Sequence, residues 1–231
     1  VLADKAAIGP EDKLLDAGCG WGGSSIWLAV NRGTRCHGIS IESDQIDVAH
    51  RMADKNDVAM RTMFSLSDFT HTSFGDGSFD VVWAMESVCH AQEKLAFTQE
   101  AFRLLKPGGR LILSDFFRSQ REQSAADEAH LRSWFERWVV PDLDTFDEFQ
   151  DALSTAGFTG IELTDATDRI RPSATRLYRT GRWAMPIAKL FRLLRIHGEM
   201  QDANWRSSLS QYTTLQAGLW RYGIVIARKP G

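Results

Sequence analysis

A glycine-rich run that directly follows a short apolar segment constrains the fold of this chain more than any other feature. Residues 14–17 read Leu-Leu-Asp-Ala, and Gly18, Gly20 and Gly22 follow at alternate positions. Glycine has no Cβ, so it adopts positive φ angles and lets the backbone approach a neighbouring group closely. The run therefore predicts a strand, a tight turn whose main chain contacts a ligand, and a helix.

Two ligand-binding motifs are compatible with this run. Gly18, Gly20 and Gly23 satisfy the G-x-G-x-x-G pattern, which places a dinucleotide pyrophosphate at a helix N-terminus. Asp16, however, lies two residues before the first glycine, where a carboxylate repels a pyrophosphate and attracts an ammonium or sulfonium group. We therefore favour a cationic ligand, with a dinucleotide or a tight turn without any ligand as the alternatives.

Strands and helices alternate over the first half of the chain. After the first strand, the patterns predict helices at 24–31, 43–55 and 93–105 and strands at 35–41, 61–65, 79–85 and 110–114, with a turn at 106–109. Such alternation is typical of a parallel sheet with helices on both faces, in which ligands bind beyond the carboxyl ends of the strands.

The second half departs from simple alternation. It predicts helices at 122–140 and 145–156, a strand at 158–163 and a last strand at 222–227. A long interruption at 168–215 separates the last two strands, so we expect them to form a hairpin with an insertion between them.

Composition excludes several classes of protein. A chain of 231 residues with 43% hydrophobic residues can bury the core of one domain. A net charge of −3 argues against a nucleic-acid-binding protein, and no apolar run approaches the length that crosses a bilayer. Neither the three cysteines nor the histidines show metal-ligand spacing. We therefore expect no metal, free thiols and a cytoplasmic location.

Five motifs occur in order along the chain: Asp16-x-Gly18-x-Gly20-x-Gly22, Ser67-Asp68-Phe69, Phe79-Asp80-Val81-Val82-Trp83, Glu86-Ser87-x-x-His90 and Leu104-Leu105-Lys106-Pro107-Gly108-Gly109. Together they resemble the class I S-adenosylmethionine-dependent methyltransferases, in particular the small-molecule enzymes of the ubiquinone, sterol and tocopherol type. The resemblance covers residues 14–116 closely and the remainder only in layout.

This resemblance implies a fold class and a cofactor. The fold is α/β and Rossmann-like, a doubly wound and mostly parallel seven-stranded sheet in the order 3-2-1-4-5-7-6 with an antiparallel last strand. We expect a single methyltransferase domain, 1–231, in which helical insertions at 118–142 and 168–215 cover the acceptor. The implied cofactor is S-adenosyl-L-methionine, which leaves as S-adenosyl-L-homocysteine, and no metal takes part.

The resemblance also assigns cofactor-binding residues. They are Asp16, Gly18, Cys19 and Gly20 for the methionyl part, Ser40, Ile41 and Gln45 for the ribose, Ser67, Asp68 and Phe69 for the adenine, and Ala84 and Met85 for the sulfonium face. Many relatives end the second strand with an acid that binds the ribose, so Glu42 stays the alternative to Ser40, Ile41 and Gln45.

Three residues near the ends of the fourth and fifth strands are candidate catalytic groups. A general base is needed when the acceptor is a hydroxyl or phenol, and not when it is a carboxylate. His90 is the candidate base, and Asp115 at the end of the fifth strand would orient its imidazole. Glu86 would stabilise a carbocation if an alkene is methylated. The alternative is that His90 packs under its loop and Asp115 caps the next helix.

Tryptophan and basic residues point to the acceptor. Trp134, Trp138, Trp183 and Trp205 fall in the predicted insertions, and Trp21 lies in the glycine loop, so we expect them to contact an apolar acceptor, with core packing as the alternative. Residues 169–198 contain eight Lys and Arg and no acid. They predict a basic amphipathic helix after Pro186 that covers the acceptor or contacts a membrane surface; a solvated face packed on the sheet or on a second subunit is the alternative.

These patterns lead to one functional prediction and two alternatives. We predict methyl transfer from S-adenosylmethionine to a hydrophobic small molecule, by O-methylation of a carboxylate or hydroxyl as in a fatty acid or a phenolic natural product. C-methylation of an isoprenoid or sterol-like alkene is the first alternative. A protein that binds the cofactor without transferring a methyl group is the second. No nucleic-acid partner is expected, and a homo-oligomer is compatible with the sequence.

Overall fold

The computed structural model describes residues 2–193 and 209–231, with side chains described outside 183–193. The helices are α1 (Leu2–Lys5), α2 (Gly23–Arg32), α3 (Ser43–Lys55), α4 (Lys94–Leu104), α5 (Ala125–Trp138), α6 (Phe146–Ala156) and α7 (Thr167–Leu193). The strands are β1 (Lys13–Ala17), β2 (Arg35–Ser40), β3 (Thr62–Leu66), β4 (Phe79–Met85), β5 (Leu105–Arg118), β6 (Thr159–Asp165) and β7 (Trp220–Arg228). A 3₁₀ turn at Val88–His90 follows β4, and residues 209–216 are helical.

The strands form one sheet in the order β3-β2-β1-β4-β5-β7-β6, which confirms the predicted topology. Strands β1, β2, β3 and β4 pair in parallel, and β4 also pairs in parallel with β5. Strand β7 runs antiparallel to β5, because the Ser119 N–H donates to the Leu219 carbonyl at one end and the Lys229 N–H donates to the Gly109 carbonyl at the other. The sheet is therefore mixed, as predicted.

The fifth strand is longer than predicted at both ends. The predicted turn at 106–109 lies inside β5 as an irregularity of the strand: Phe79 pairs with Leu105 and Val81 with Arg110, and Gly108 has a φ of +74°. The backbone N–H of Gly108 donates to the carbonyl of Lys229 at 3.1 Å, directly after the end of β7. Proline and glycine inside a strand mark such a bulge.

The predicted start of the long helix in the second half of the chain was wrong. The sequence placed a helix after Pro186, whereas α7 begins at Thr167 and passes through both Pro172 and Pro186. Asp165 Oδ1 accepts a hydrogen bond from the Thr167 N–H at 2.9 Å and so satisfies a backbone donor at the first turn. This hydrogen bond marks the start of α7. A proline inside a helix can bend the helix without ending it, as α7 shows at Pro172 and Pro186.

The chain forms two compact units. The first contains Val1–Asp115, Asp147–Thr164 and Ile224–Gly231, and the second contains Phe116–Phe146 and Asp165–Gly223. The described parts of both predicted insertions, 118–142 and 168–215, belong to the second unit.

The first unit has apolar clusters around its parallel strands. Leu14, Val81 and Ile112 are fully buried in one cluster, which also contains Leu28 of α2. A second cluster joins α2 and α3 to β3 through the buried residues Ile26, Ala29, Ile46, Ala49 and Phe64. Burial of this kind stabilises each large side chain by about 1.5–3 kcal/mol. The strand ends that carry the predicted site are therefore held by a packed core.

Candidate functional site

The glycine loop follows β1 and adopts a conformation that favours glycine at alternate positions. The φ angles of Gly18, Gly20 and Gly22 are +85°, +52° and +79°. A Cβ at Gly18 would overlap the Cβ of Ser87, and one at Gly22 would lie 2.9 Å from the Phe64 ring. A Cβ at Gly20 would meet no atom within 4 Å. Gly18 and Gly22 are thus required for close packing, whereas Gly20 borders open space that is available to a ligand.

Asp16 lies at the end of β1 beside this loop, and its side chain is almost fully buried at 1% exposure. Ser25 Oγ on α2 donates a hydrogen bond to Asp16 Oδ2 at 2.7 Å. Burial raises the pKa of Asp16 to about 6, although the hydrogen bond from Ser25 opposes this shift. Sequence reasoning missed Ser25, because nine positions separate it from Asp16 and only the turn into α2 brings the two together.

The end of β2 carries the residues assigned to the ribose. Ser40 Oγ donates to Gln45 Oε1 at 2.8 Å, and the Glu42 N–H donates to Ser40 Oγ at 3.1 Å. The Glu42 side chain is exposed at the start of α3, and Ile41 is 68% exposed. The structure therefore brings Ser40 and Gln45 together, and it leaves both Ile41 and Glu42 accessible at this edge of the sheet.

The residues assigned to the adenine follow β3. The Ser67 N–H donates to the Ser40 carbonyl at 2.9 Å, which joins this segment to the end of β2. Asp68 Oδ1 accepts hydrogen bonds from both the N–H and the hydroxyl of Thr70, at 2.8 and 2.7 Å. Phe69 is half-buried and packs edge-on against Phe97 at 5.5 Å. The local turn thus fixes the Asp68 carboxylate at the edge of the sheet.

The segment after β4 carries the candidate catalytic groups. Ala84 is buried and Met85 half-buried at the end of the strand, and Glu86 is exposed with a φ of +52°. His90 is exposed at the end of the 3₁₀ turn. Asp115 follows Ser114 of β5, which pairs with Met85, so the parallel pairing brings these groups to one edge of the sheet.

The structure shows a contact of Asp115 that the sequence did not predict. Asp115 is 2% exposed, and its Oδ2 accepts a hydrogen bond from the Cys89 N–H at 3.0 Å. Cys89 precedes His90 in the 3₁₀ turn, so Asp115 is connected to the turn that carries the candidate base. The role of Asp115 in orienting the His90 imidazole stays a prediction.

An aromatic cluster lies in the second unit. Trp134 is fully buried. The centre of its ring lies 5.4 Å from that of Phe116, 5.1 Å from that of Trp220 and 6.4 Å from that of Trp138. The indole N–H of Trp134 is buried without a hydrogen-bond partner among residues 2–193 and 209–231. Trp134 thus packs within the cluster, and Trp138 is half-buried beside it. Their contact with an acceptor stays a prediction.

The other predicted acceptor residues fall into two groups. Trp21 in the glycine loop is 69% exposed and therefore accessible to a ligand. Trp205 lies outside the described residues, and so does the side chain of Trp183.

The basic stretch is only partly described. Its arginines on α7 are exposed: Arg169, Arg171, Arg176, Arg179 and Arg182. Among residues 2–193 and 209–231, no helix is both long enough and apolar enough to cross a membrane.

The cysteines Cys19, Cys36 and Cys89 are buried free thiols.

Comparison with known proteins agrees with the strand order and the glycine loop. Residues 15–113 match the family described as a methyltransferase domain. The chain carries a class I S-adenosylmethionine-dependent methyltransferase domain. The matched part of this domain contains most of β1, all of β2 to β4, the glycine loop and every predicted cofactor residue.

Two curated relatives extend beyond the matched methyltransferase domain. The 27-O-demethylrifamycin SV methyltransferase of Amycolatopsis mediterranei is 35% identical over 175 residues, which cover 76% of this chain and 64% of that enzyme. The chloroplastic tocopherol O-methyltransferase of Arabidopsis thaliana is 30% identical over 226 residues, which cover 94% of this chain and 63% of that enzyme. The chain thus spans less than two thirds of the length of each relative.

One solved structure has a fold similar to that of this chain. It is the geranyl diphosphate C-methyltransferase from Streptomyces coelicolor A3(2), in complex with Mg²⁺, geranyl diphosphate and S-adenosyl-L-homocysteine. The TM-score is 0.74 at 20% identity, and the match covers 99% of this chain and 76% of that one.

Proposed function

We propose that this protein transfers a methyl group from S-adenosyl-L-methionine to an oxygen atom of a hydrophobic small molecule. The observation that carries the proposal is a buried carboxylate, Asp16, beside a glycine loop that borders open space at Gly20. An ionised carboxylate in such a place is poorly solvated, which is why the pKa of Asp16 is raised to about 6. A bound cation compensates for this lost solvation, and both the ammonium and the sulfonium of the donor are cationic.

The residues of this chain fit that cofactor in other respects. Asp68 presents its carboxylate at the edge of the sheet, where it can accept from the adenine amino group. Ile41 and Leu66 are 68% and 62% exposed at the ends of β2 and β3, so they offer apolar surface to the adenine and ribose. When bound, S-adenosylmethionine would supply a methyl group on a sulfonium, which an acceptor oxygen takes in line as the S–C bond breaks.

His90 removes the proton when that oxygen belongs to a hydroxyl or phenol. The side chain is exposed at the end of the 3₁₀ turn after β4. A neutral imidazole nitrogen takes the hydroxyl proton as the new C–O bond forms, which avoids a protonated ether. A carboxylate acceptor carries no such proton and needs no base.

Accessible aromatic side chains and the relatives support a hydrophobic acceptor. Trp21 is 69% exposed in the glycine loop, and Trp138 is half-buried beside the buried Trp134. The two curated relatives are named as a methyltransferase of 27-O-demethylrifamycin SV and an O-methyltransferase of tocopherol. C-methylation is the second candidate, because Glu86 is exposed at the end of β4, where its carboxylate can stabilise a cation formed by methylating an alkene.

An isotope-transfer assay tests this function. The protein is incubated with donor that carries a labelled methyl group and with a panel of phenols, fatty acids and isoprenoid alkenes. We expect label in an ether or ester product. Label in a carbon-methylated isoprenoid would favour the second candidate. Tight donor binding without any labelled product would favour a protein that binds the cofactor and transfers no methyl group.

The pH dependence of donor binding tests the role of Asp16. The pKa of this carboxyl is about 6 in the free protein, so the group takes up a proton below that pH and loses the charge that attracts the donor. We expect the donor Kd, measured by calorimetry, to change little near pH 7 and to rise about tenfold per pH unit below 6. Adenosine is neutral and serves as the control ligand; an equal rise in its Kd would contradict the assignment.

We further propose a cytoplasmic location and no metal requirement, and we keep two partner proposals. The buried free thiols Cys19, Cys36 and Cys89 support a reducing compartment. The exposed arginines of α7 support contact of the 169–198 stretch with an anionic membrane surface. A homo-oligomer in which this stretch packs on a second copy is the alternative use of the same surface.

A further inference from the structure

The turn that carries His90 is held from the inside by a buried lysine. Lys94, at the start of α4, is 7% exposed. Its Nζ donates hydrogen bonds to the carbonyl oxygens of Ala91 at 2.7 Å and Cys89 at 3.3 Å. These two carbonyls belong to the residues on either side of His90. Lysine is rarely buried to this extent unless its donors are used, so the contacts of Nζ define where the turn lies.

Other contacts connect the same turn to the cofactor loop. Ser87 Oγ donates to the Ala17 carbonyl at 2.6 Å, directly before Gly18. The His90 N–H donates to the Ser87 carbonyl at 3.1 Å, and the Cys89 N–H donates to Asp115 Oδ2. Residues 87–91 are therefore attached to the end of β1 on one side and to Lys94 and Asp115 on the other.

We propose that Lys94 is a positioning residue for His90. It fixes the carbonyls on both sides of His90, while Ser87 fixes the start of the turn against the glycine loop. The distance between the candidate base and the bound methyl group then depends on these hydrogen bonds. This inference rests on the proposed function, because it assigns to Lys94 a part in methyl transfer to a hydroxyl.

The chain offers a matched control for the loss of a lysine. Lys229 Nζ also donates to two backbone carbonyls, those of Phe102 at 2.7 Å and Leu105 at 2.8 Å. These carbonyls lie at the C-terminal end of α4, whereas Lys94 lies at its N-terminal end. Replacement of either lysine by methionine removes an amine that donates to two carbonyls, and only one of the two replacements affects the turn.

The experiment compares Lys94→Met with Lys229→Met in the full chain. A misplacement of about 1 Å at a reacting group lowers a rate about 10²-fold, so we expect Lys94→Met to lower kcat with a phenolic acceptor about tenfold to a hundredfold. The donor Kd and the kcat with a fatty-acid acceptor stay unchanged, because neither depends on the base. Hydrogen exchange of the His90 and Ala91 amides becomes faster. Lys229→Met lowers the thermal midpoint and changes neither kcat nor that exchange.

Equal losses of kcat in the two variants would overturn the proposal, and so would a loss that is the same for phenol and fatty acid. If Lys94→Met does not fold, Lys94→Gln retains a neutral amide with two N–H donors and allows the same comparison, with a smaller expected loss. A wild-type protein without turnover would contradict the proposed function alone. Hydrogen exchange of the backbone amides of residues 87–91 would then test the role of Lys94 separately. Unchanged exchange in the Lys94 variant would show that Lys94 does not hold the turn.

Discussion

Asp16→Asn is expected to abolish tight donor binding and, at the same time, to stabilise the free protein. The carboxylate is buried and its pKa is raised to about 6 from an ordinary value of 3.8, so ionisation at pH 7 costs the folded state about 3 kcal/mol. Asparagine retains an acceptor for the Ser25 hydroxyl without carrying this charge. We therefore expect the unfolding free energy at pH 7 to rise by up to about 3 kcal/mol.

The donor Kd of the same variant is expected to rise at least about 30-fold, because removing one partner of a buried charge pair costs 2 kcal/mol or more. Denaturant unfolding and calorimetry measure the two effects. The stability gain should shrink as the pH falls from 6 towards 4, where the wild-type Asp16 becomes protonated and the two proteins become alike. A gain that does not depend on pH would contradict the assigned pKa.

Asp80→Asn is a control variant, because its expected change in unfolding free energy has the opposite sign to that of Asp16→Asn. Although burial opposes ionisation, hydrogen bonds from Lys106 Nζ and the Lys13 N–H lower the pKa of Asp80. Its ionised form therefore stabilises the folded state, and the variant should be less stable than the wild type at pH 7. Donor affinity should not change, since Asp80 lies at the start of β4, at the opposite end of that strand from the candidate site.

His90→Ala is expected to lower kcat with a hydroxyl or phenol acceptor by about 10²–10⁴, because the variant has no group to take the acceptor proton. Initial rates with labelled donor at saturating acceptor measure this loss. The donor Kd should not change. The same variant should methylate a carboxylate acceptor at close to the wild-type rate, which makes the fatty acid an internal control.

A loss of equal size with both acceptor types would remove His90 from the role of base. It would then assign His90 to binding or to the integrity of the 3₁₀ turn. Thermal unfolding of the variant separates these outcomes, because damage to the turn lowers the midpoint and loss of a base does not.

Local patterns in the sequence were sufficient for much of the first unit. The bounds of α3 and β4 agree with the prediction, because a clear helical period marks one and a short apolar run marks the other. The glycine loop was also predictable, since the positive φ angles at Gly18, Gly20 and Gly22 are a backbone property that a Cβ opposes.

Contacts that depend on tertiary structure could not be predicted. Pro107 lies in β5, and its neighbours Gly108 and Gly109 form hydrogen bonds with Lys229, more than one hundred residues later in the sequence; local preference gives no sign of that partner. Ser25 and Lys94 are ordinary helix residues in the sequence. Their importance follows from the groups that lie opposite them, namely the Asp16 carboxylate and the carbonyls around the 3₁₀ turn.

The pairing of the last residues with the start of β5 has a practical consequence. The Lys229 N–H donates to the Gly109 carbonyl, which places the C-terminal segment at the end of the first unit where its parallel strands begin. The glycine loop and the groups after β2, β3 and β4 lie where those strands end. An affinity handle attached through a spacer at Gly231 would therefore immobilise the molecule with its ligand-facing edge directed away from the support, which suits surface-based screening of acceptor libraries.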